Sequence, residues 1–254
     1  MDAVDRLVPA ARRVWRNYVP PSIRDRINRL RAIHREAVAS KPKDLGDLRR
    51  TTPISTWGAE RGGSLPRAYI AEFLGQHEAD IRGRVLEIAS DRYASLFTVG
   101  VDRVDILDVD RSNEQATFIA NFADAPEVPD NAFDCVLVTQ VLSWIYDVHA
   151  GFRTAHRILA PDGVMLATTP GLARHAPIEK ELLGEWWHFT SMSAKRVAGE
   201  IFGEGNVEVQ TYGNVLAAAA SLFGLGQDDI TPAELAINDP GFEVVVAIRA
   251  VKRV

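Results

Sequence analysis

Three polar side chains near the ends of apolar stretches are the first residues of this chain that could bind a ligand. They are Glu87, Asp108 and Gln140. In a parallel sheet the carboxyl ends of the strands meet at one edge, and ligands bind in the crevice there. Asp108 follows Glu87 by twenty-one positions, close to the spacing of about twenty at which an acidic residue accepts the hydroxyl groups of a nucleotide ribose. These residues therefore predict one site for a nucleoside-like ligand.

The turn after the first apolar stretch restricts the kind of ligand. It reads Ala89-Ser90-Asp91 and lacks the G-x-G-x-x-G pattern of dinucleotide sites. A fixed carboxylate at Asp91 would repel a phosphate group in a small desolvated site. Glu87, by contrast, suits an ammonium group. We therefore expect a ligand that carries positive charge and no phosphate.

The elements that must position these residues alternate between strand and helix patterns. Short apolar runs bounded by turn residues, typical of strands covered on both faces, occur at 84–91, 104–110 and 133–140. Further strands are predicted near 116–120, 163–168, 207–212 and 242–251, and helices near 64–76, 149–159 and 191–202. This alternation predicts an α/β fold with a Rossmann-like, doubly wound, mostly parallel seven-stranded sheet. The last two strands are expected to form an antiparallel C-terminal edge.

The first fifty residues differ from the rest of the chain in charge. Residues 1–50 hold thirteen Lys and Arg against six Asp and Glu, although the 254-residue chain has a net charge of −5. Apolar residues at helical spacing over 21–38 predict an amphipathic, arginine-rich helix. A basic helical extension can meet nucleic acid, an anionic surface or an acidic partner face. Packing on the acidic body of its own subunit or of a twin subunit is the simpler interpretation, so a homodimer is one option.

Composition excludes several classes of protein. Hydrophobic residues make up 46% of the chain, enough for a proper core. No stretch reaches the eighteen or more apolar residues of a membrane span, and the first residues lack the pattern of a signal peptide. The single Cys135 lies in an apolar strand, so we expect a core residue and no disulfide framework. A cytoplasmic location without a membrane span is the resulting expectation.

Residues 51–65 form a loop that begins the main domain, which we place at 51–254. The loop is rich in Gly and Pro, and it contains Trp57 and Arg61. A long loop without its own structure is usually either functional or disordered, and these two side chains argue against disorder. We interpret it as a flap whose Trp57 and Arg61 reach toward the ligand site. The alternative is a loop that Trp57 merely fixes to the surface.

The segment from about residue 80 to residue 170 resembles the class I S-adenosylmethionine-dependent methyltransferases. The matching motifs, in family order and spacing, are Val-Leu-Glu-Ile-Ala-Ser-Asp at 85–91, Asp108, Asn121-Phe122-Ala123-Asp124, the strand region 129–142, and the helix-to-strand region 157–164. The resemblance implies S-adenosylmethionine as cofactor and S-adenosylhomocysteine as product. It also implies that Asp108 binds both ribose hydroxyls and that the segment at Asn121 flanks the adenine.

The cofactor site expected from the resemblance and from the flap comprises ten residues. They are Glu87, Ala89, Asp91, Asp108, Val109, Asn121, Phe122, Gln140, Trp57 and Arg61. Ala89 and Asp91 stand where the family usually has glycine, and Asn121 stands where it often has an acid. Ala89 is still small enough for close approach of the backbone, and the amide of Asn121 can hydrogen-bond an amino group or a ring nitrogen.

The acceptor site is expected in an insertion at 171–190, which is rich in polar and aromatic residues. Transfer of a methyl group to an alcohol needs a base, because an alcohol is a weak nucleophile, and histidine titrates near neutrality. The candidate catalytic residues, in order of preference, are His188, His175, Tyr146 and Glu181. A purely structural role is the alternative for either histidine. Trp186 and Trp187 offer apolar faces to sugar rings, although one of them could instead pack in the core.

The predicted function is methylation of a hydroxyl of a sugar or of a polysaccharide or glycan precursor. The flap, the Trp-Trp-His-Phe-Thr stretch and the closing strands resemble a bacterial branch associated with glycosyltransferases and saccharide modification. The partner is then a small-molecule or oligosaccharide acceptor. Alternatives are a methyltransferase for another small-molecule hydroxyl, such as a natural product or quinone-like compound, and a non-catalytic module that uses this fold to bind a partner.

Other chemistries lack their sequence patterns. An oxidoreductase or epimerase is disfavoured by the missing glycines and by the absence of a Tyr-x-x-x-Lys pair. Nucleic acid is not expected, because Thr139-Gln140-Val141-Leu142 differs from the Asn-Pro-Pro-Tyr-like motif of nucleic-acid methyltransferases. No H-E-x-x-H or related spacing occurs, so no metal is predicted.

Overall fold

The computed structural model describes residues 50–55, 57–176 and 184–253. The predicted basic extension therefore lies outside the described residues apart from Arg50, as does the candidate base Glu181. In the described part of the chain, no helix combines the length and the apolar character needed to cross a bilayer.

A seven-stranded sheet forms the centre of the fold. Its strands are β1 (Gly83–Ile88), β2 (Val101–Asp108), β3 (Phe118–Ile119), β4 (Phe133–Thr139), β5 (Leu159–Pro170), β6 (Val207–Tyr212) and β7 (Val245–Val251). Their order across the sheet is β3-β2-β1-β4-β5-β7-β6. The order reverses between β1 and β4, which is the kind of switch point where doubly wound sheets bind ligands. The predicted α/β, Rossmann-like fold is confirmed.

Strand direction follows the expected mixed pattern. Pairs among β1, β2, β3, β4 and β5 are parallel. β7 is antiparallel to both of its neighbours, β5 and β6. The antiparallel strand therefore lies second from the C-terminal edge of the sheet, and β6 is the outermost strand. The two closing strands were expected in this region, but sequence patterns did not reveal which one lies at the rim.

Five helices accompany the sheet in the described residues. They are α1 (Leu65–Gln76), α2 (Val148–Ile158), α3 (Ser191–Phe202), α4 (Val215–Phe223) and α5 (Pro232–Leu235). The first three match predicted helices, whereas α4 and α5 fall in a region predicted only as a long link. The side chain of Asn214 accepts a hydrogen bond from Ala217 N–H and caps the start of α4. Gly224 ends α4 in the left-handed conformation that favours glycine.

The two faces of the sheet bury separate cores, because alternate strand residues point to opposite sides. On one face, Val136 and Val138 belong to a cluster with residues of α2 and α3. On the other face, Cys135 and Leu137 belong to a cluster with residues of α1 and α4. Cys135 is fully buried, and burial raises the pKa of its thiol. The prediction that Cys135 is a core residue is therefore confirmed.

Candidate active site at the carboxyl ends of the strands

The turn that follows β1 is held by Glu87. Its side chain is only 1% exposed, and its carboxylate accepts hydrogen bonds from the N–H groups of Tyr93 (3.1 Å) and Ala94 (2.8 Å). Burial raises the pKa of Glu87 to about 8, although these N–H groups act in the opposite direction. Glu87 therefore shapes the backbone of the turn, and its predicted contact with a cofactor ammonium group stays a prediction.

Backbone conformation marks two neighbouring strand ends as unusual. Ala89, directly after β1, has φ +73°, and Gln140, directly after β4, has φ +58°. Residues other than glycine adopt this left-handed backbone conformation at a cost of about 1 to 3 kcal/mol, and such residues cluster at functional sites. The turn at Ala89 thus keeps the conformation that glycine would favour, even though it lacks the glycine. β1 and β4 are also the strands between which the sheet order reverses.

Asp108, the last residue of β2, is buried and hydrogen-bonded on both carboxylate oxygens. One oxygen accepts from Asp110 N–H at 3.0 Å, and the other accepts from Asn113 Nδ2 at 2.6 Å. Asn113 Nδ2 also donates to the carbonyl of Ala89 at 3.1 Å, so it joins the turns after β1 and β2. Burial raises the pKa of Asp108, against the effect of these hydrogen bonds. Sequence patterns did not reveal Asn113, because a lone amide in a turn carries no spacing signal.

The residues predicted to flank the adenine lie in different environments. Val109, next to Asp108, is an exposed apolar side chain at the edge of the sheet. Asn121 is exposed, and its Oδ1 accepts from Ala123 N–H at 2.9 Å. Phe122, in contrast, lies in the core at 3% exposure. Val109 and Asn121 are therefore the two of these residues that offer surface to a ligand, and Phe122 supports the segment from beneath.

The predicted flap is attached to the body at its beginning. Ile54 N–H donates to the carbonyl of Phe223 at 2.6 Å, and the hydroxyl of Ser55 donates to the carbonyl of Gly224 at 2.6 Å. Arg61 forms an ion pair with the nearly buried carboxylate of Asp229, with Nε 2.6 Å from Oδ2. These contacts tie Ile54, Ser55 and Arg61 to the end of α4 and to the turn that follows it. In the structure, Arg61 therefore pairs with Asp229, away from the strand ends. The predicted contact of Arg61 with the cofactor stays a prediction.

Trp57 occupies a different position from Arg61. Its ring lies 4.5 Å from the guanidinium carbon of Arg174, measured to the ring centroid, in a cation–π contact. Arg174 belongs to the segment that follows β5. Trp57 therefore connects the flap to the predicted acceptor insertion.

The two candidate histidines converge on one carboxylate. His188 Nε2 is 3.0 Å from Glu185 Oε1, and His175 Nδ1 is 3.3 Å from Glu185 Oε2. The side chain of Glu185 is 5% exposed, and its Oε2 also accepts from Ala176 N–H at 2.9 Å. Although burial acts to raise it, the pKa of Glu185 is lowered by Ala176 N–H and by the two histidines. Sequence analysis missed Glu185, whose only signal was the Glu-x-x-His spacing to His188.

Beside this cluster lies an exposed group of three aromatic side chains, which we call the aromatic shelf. Tyr146, Trp186 and Trp187 are 69%, 52% and 41% exposed. The ring centroid of Tyr146 lies 5.0 Å from that of Trp186 and 6.5 Å from that of Trp187. Neither tryptophan packs in the core, so the core-packing alternative for one of them is wrong.

Hydrogen bonds fix the aromatic shelf between the segments that follow β4 and β5. Trp187 Nε1 donates to the carbonyls of Ile145 (3.0 Å) and Tyr146 (3.1 Å). The backbone N–H groups of Trp186 and Trp187 lie 2.8 and 3.3 Å from the carbonyl of Ser143. His188 is adjacent in sequence to Trp187. The shelf, His188 and Gln140 thus belong to segments that leave the same edge of two neighbouring strands.

The sheet order and the polar strand ends define the class of protein as a Rossmann-like methyltransferase fold. Comparison with sequence families matches residues 64–198, more than half of the chain, to the methyltransferase domain. The chain belongs to this family, and it is a methyltransferase that uses S-adenosylmethionine. No curated protein matches the sequence significantly.

Solved structures with similar folds are distant in sequence. The methyltransferase domain (CMeT) of the citrinin polyketide synthase is 16% identical, with a TM-score of 0.51 over 79% of this chain and 56% of that one. A SAM-dependent methyltransferase from Archaeoglobus fulgidus is 10% identical, with a TM-score of 0.49 over 73% and 94%. The N-methyltransferase NodS from Bradyrhizobium japonicum, solved with S-adenosyl-L-homocysteine, is 13% identical, with a TM-score of 0.48 over 77% and 91%. At 16% identity and a TM-score of 0.51, the similarity to the citrinin synthase domain shows a shared fold alone.

Proposed function

We propose that this chain is an O-methyltransferase that acts on a hydroxyl group of a sugar or of a polysaccharide or glycan precursor. The observation that carries the proposal is the position of the exposed aromatic shelf beside the His188–Glu185 pair. Sugar rings present flat apolar faces together with hydroxyl groups, so their sites combine aromatic surfaces with hydrogen-bonding side chains. The proposal has three parts, namely cofactor binding, acceptor binding and removal of the acceptor proton.

S-adenosylmethionine supplies a methyl group that is already activated by its sulfonium, and the residues at the strand ends fit this cofactor. The carboxylate of Asp108 accepts hydrogen bonds from Asp110 N–H and Asn113 Nδ2, and a backbone hydrogen bond from Val109 also acts on it. The two oxygens of a carboxylate offer about four acceptor sites, so acceptor capacity stays available for the ribose hydroxyls. Val109 offers an exposed apolar surface to the adenine, and the small side chain of Ala89 permits close approach to the turn.

The acceptor would lie on the aromatic shelf. Exposed tryptophan and tyrosine rings favour binding of a ring with an apolar face, because stacking removes apolar surface from water. Since the shelf adjoins the segments that leave β4 and β5, a bound acceptor would be near the edge at which the cofactor sits. Alignment of the acceptor oxygen with the methyl group is the main contribution a protein makes to this displacement.

His188 is the proposed general base, and Glu185 is the residue that positions it. When Nε2 of His188 donates to Glu185, Nδ1 of the neutral imidazole is the acceptor. No partner for Nδ1 occurs among the residues that the structure describes. The lowered pKa of Glu185 keeps it ionised at neutral pH, which stabilises the imidazolium that forms when His188 takes the acceptor proton. His175, which shares the same carboxylate, is the second candidate.

A methylation assay with a panel of mono- and oligosaccharides, phenols and amines tests the proposal. We expect turnover with hydroxyls of saccharides. His188→Ala should lower kcat by about 100-fold while cofactor affinity stays unchanged, as expected for a base that acts only on the acceptor. His149→Ala is a matched control, because His149 also pairs with a glutamate, Glu200, but on the exposed surfaces of α2 and α3.

The outcomes separate the alternatives. Turnover confined to phenols or other non-sugar hydroxyls would support the rival small-molecule methyltransferase, and turnover of amines alone would exclude O-methylation. Full activity of His188→Ala would remove that residue as the base. Cofactor binding without turnover of any acceptor would favour the partner-binding module.

A further inference from the structure

We propose that His175, Glu185 and His188 form a binding site for one divalent transition-metal cation, with Zn²⁺ as the best match. Their ligand atoms, two imidazole nitrogens and a carboxylate oxygen, all lie within 4.8 Å of one another. Two histidines and a glutamate are one of the ligand sets that hold zinc in catalytic sites. No metal was predicted from the sequence, because His175, Glu185 and His188 do not follow H-E-x-x-H or related spacing.

The three ligand atoms are close enough for side-chain rotation to bring them around one small cation. Zinc binds histidine nitrogen and carboxylate oxygen at about 2.0 to 2.2 Å, so the ligand atoms of a tetrahedral site lie about 3.4 Å apart. The nitrogen of His188 is 3.0 Å from Oε1 of Glu185, the nitrogen of His175 is 3.3 Å from Oε2, and the ligand atoms of the three residues lie within 4.8 Å of one another. Side-chain rotation that brings these atoms to the tetrahedral spacing would admit the ion. Calcium and magnesium prefer sets made of oxygen ligands alone, so the imidazoles select a transition metal.

The surroundings of Glu185 also resemble those of a metal ligand. Its side chain is buried, and the N–H of Ala176 holds Oε2 in place, as hydrogen bonds around metal sites orient their ligands. His175, which is 59% exposed, provides a path from solvent. Three protein ligands leave a fourth position of the ion for water.

Without a cation, the same contacts are a satisfied hydrogen-bond network in which both imidazoles donate to Glu185. Binding of a cation requires each imidazole to move its proton to the other ring nitrogen, which changes no net charge on the histidines. In His188 the proton then lies on Nδ1, the nitrogen proposed above to accept the acceptor proton. Resting on the proposed function, this exchange predicts that the cation-loaded protein has lost its base.

Calorimetric titration of the full chain with Zn²⁺ tests the site without any methyl acceptor. We expect one ion per chain, with affinity lowered at least 100-fold in His175→Ala and in Glu185→Gln, since each loses one of three ligands. His175→Ala is the safer variant for folding, because the side chain is exposed. His149→Ala, which alters the exposed His149–Glu200 pair, should bind zinc like the unaltered protein. Absence of zinc binding, or equal affinity in all the variants, would overturn the site.

A second measurement distinguishes failure of this site from failure of the proposed function. In the methylation assay, zinc should lower turnover at least 10-fold, and a chelator should restore it. Zinc that binds as expected but leaves turnover unchanged would overturn the link between the cation and the base. If no hydroxyl acceptor is turned over, the proposed function fails, and the calorimetric result still decides the metal site.

Discussion

Replacement of Asp108 should weaken cofactor binding by an amount that follows from its hydrogen bonds. Its carboxylate accepts hydrogen bonds inside the protein from Asp110 N–H and from Asn113 Nδ2, with a further backbone hydrogen bond from Val109. Of about four acceptor sites on a carboxylate, this leaves capacity for the two ribose hydroxyls. Hydrogen bonds to a charged group contribute about 1.5 to 3 kcal/mol each. Because water competes for the hydroxyls of the free cofactor, we take roughly 2 to 3 kcal/mol for the pair.

This loss corresponds to a dissociation constant roughly 30- to 150-fold higher in Asp108→Ala. Calorimetric titration with S-adenosylmethionine and with S-adenosylhomocysteine measures it directly, and thermal unfolding shows whether the variant stays folded. Asp102→Ala is the matched control, because it removes an exposed carboxylate from the same strand, β2. Asn113→Ala should give a smaller loss of about 3- to 10-fold, since it removes only the donor that orients one oxygen of Asp108.

Two results would refute this reasoning. A folded Asp108→Ala protein with the affinity of the unaltered chain would place the ribose elsewhere. Equal losses in Asp108→Ala and Asp102→Ala would point to the general negative charge of the domain and not to hydrogen bonds.

Three further predictions concern pH, stability and the acceptor. Because the pKa of Glu87 is raised from 4.5 to about 8 in the folded chain, its stabilising effect is complete below pH 4.5 and is lost as the pH rises through about 8. Urea unfolding should show a loss of about 2 to 3 kcal/mol between about pH 6 and pH 8 that Glu87→Gln lacks, and parallel pH profiles would contradict it. Arg61→Ala should lower the free energy of unfolding by about 1 to 3 kcal/mol, because it leaves the nearly buried Asp229 without its ion pair; no change in the denaturation midpoint would show that the flap is held by its other contacts. Trp187→Ala should raise KM for the acceptor about 10-fold and leave cofactor affinity unchanged, and a loss of cofactor affinity alone would remove the shelf from acceptor binding.

Local patterns in the sequence were sufficient to predict the strands and the edge of the sheet that carries the site. An apolar run such as 133–140 indicates a strand that is buried on both faces of the sheet. This pattern can be read from residues that are adjacent in the sequence. The fold topology then brings the ends of parallel strands together, so Asp108 and Gln140 could be assigned to one edge before any contact was known. An antiparallel edge was expected, but the place of β7 between β5 and β6 depends on pairing between distant strands, for which the sequence holds no local signal.

Only the tertiary structure revealed which side chains contact one another across the loops. Arg61 was predicted to reach the cofactor, which stays a prediction, and the structure shows that it pairs with Asp229, a carboxylate 168 positions away. Glu185 went unnoticed as a single acidic residue, yet in the structure its carboxylate contacts both His175 and His188. Sequence spacing determines which residues share a strand or a helix face. Which long side chains meet across loops depends on the packing of the whole domain. The free energy of each such contact is small compared with the free energy gained by burying the core, and the core therefore decides where these side chains lie.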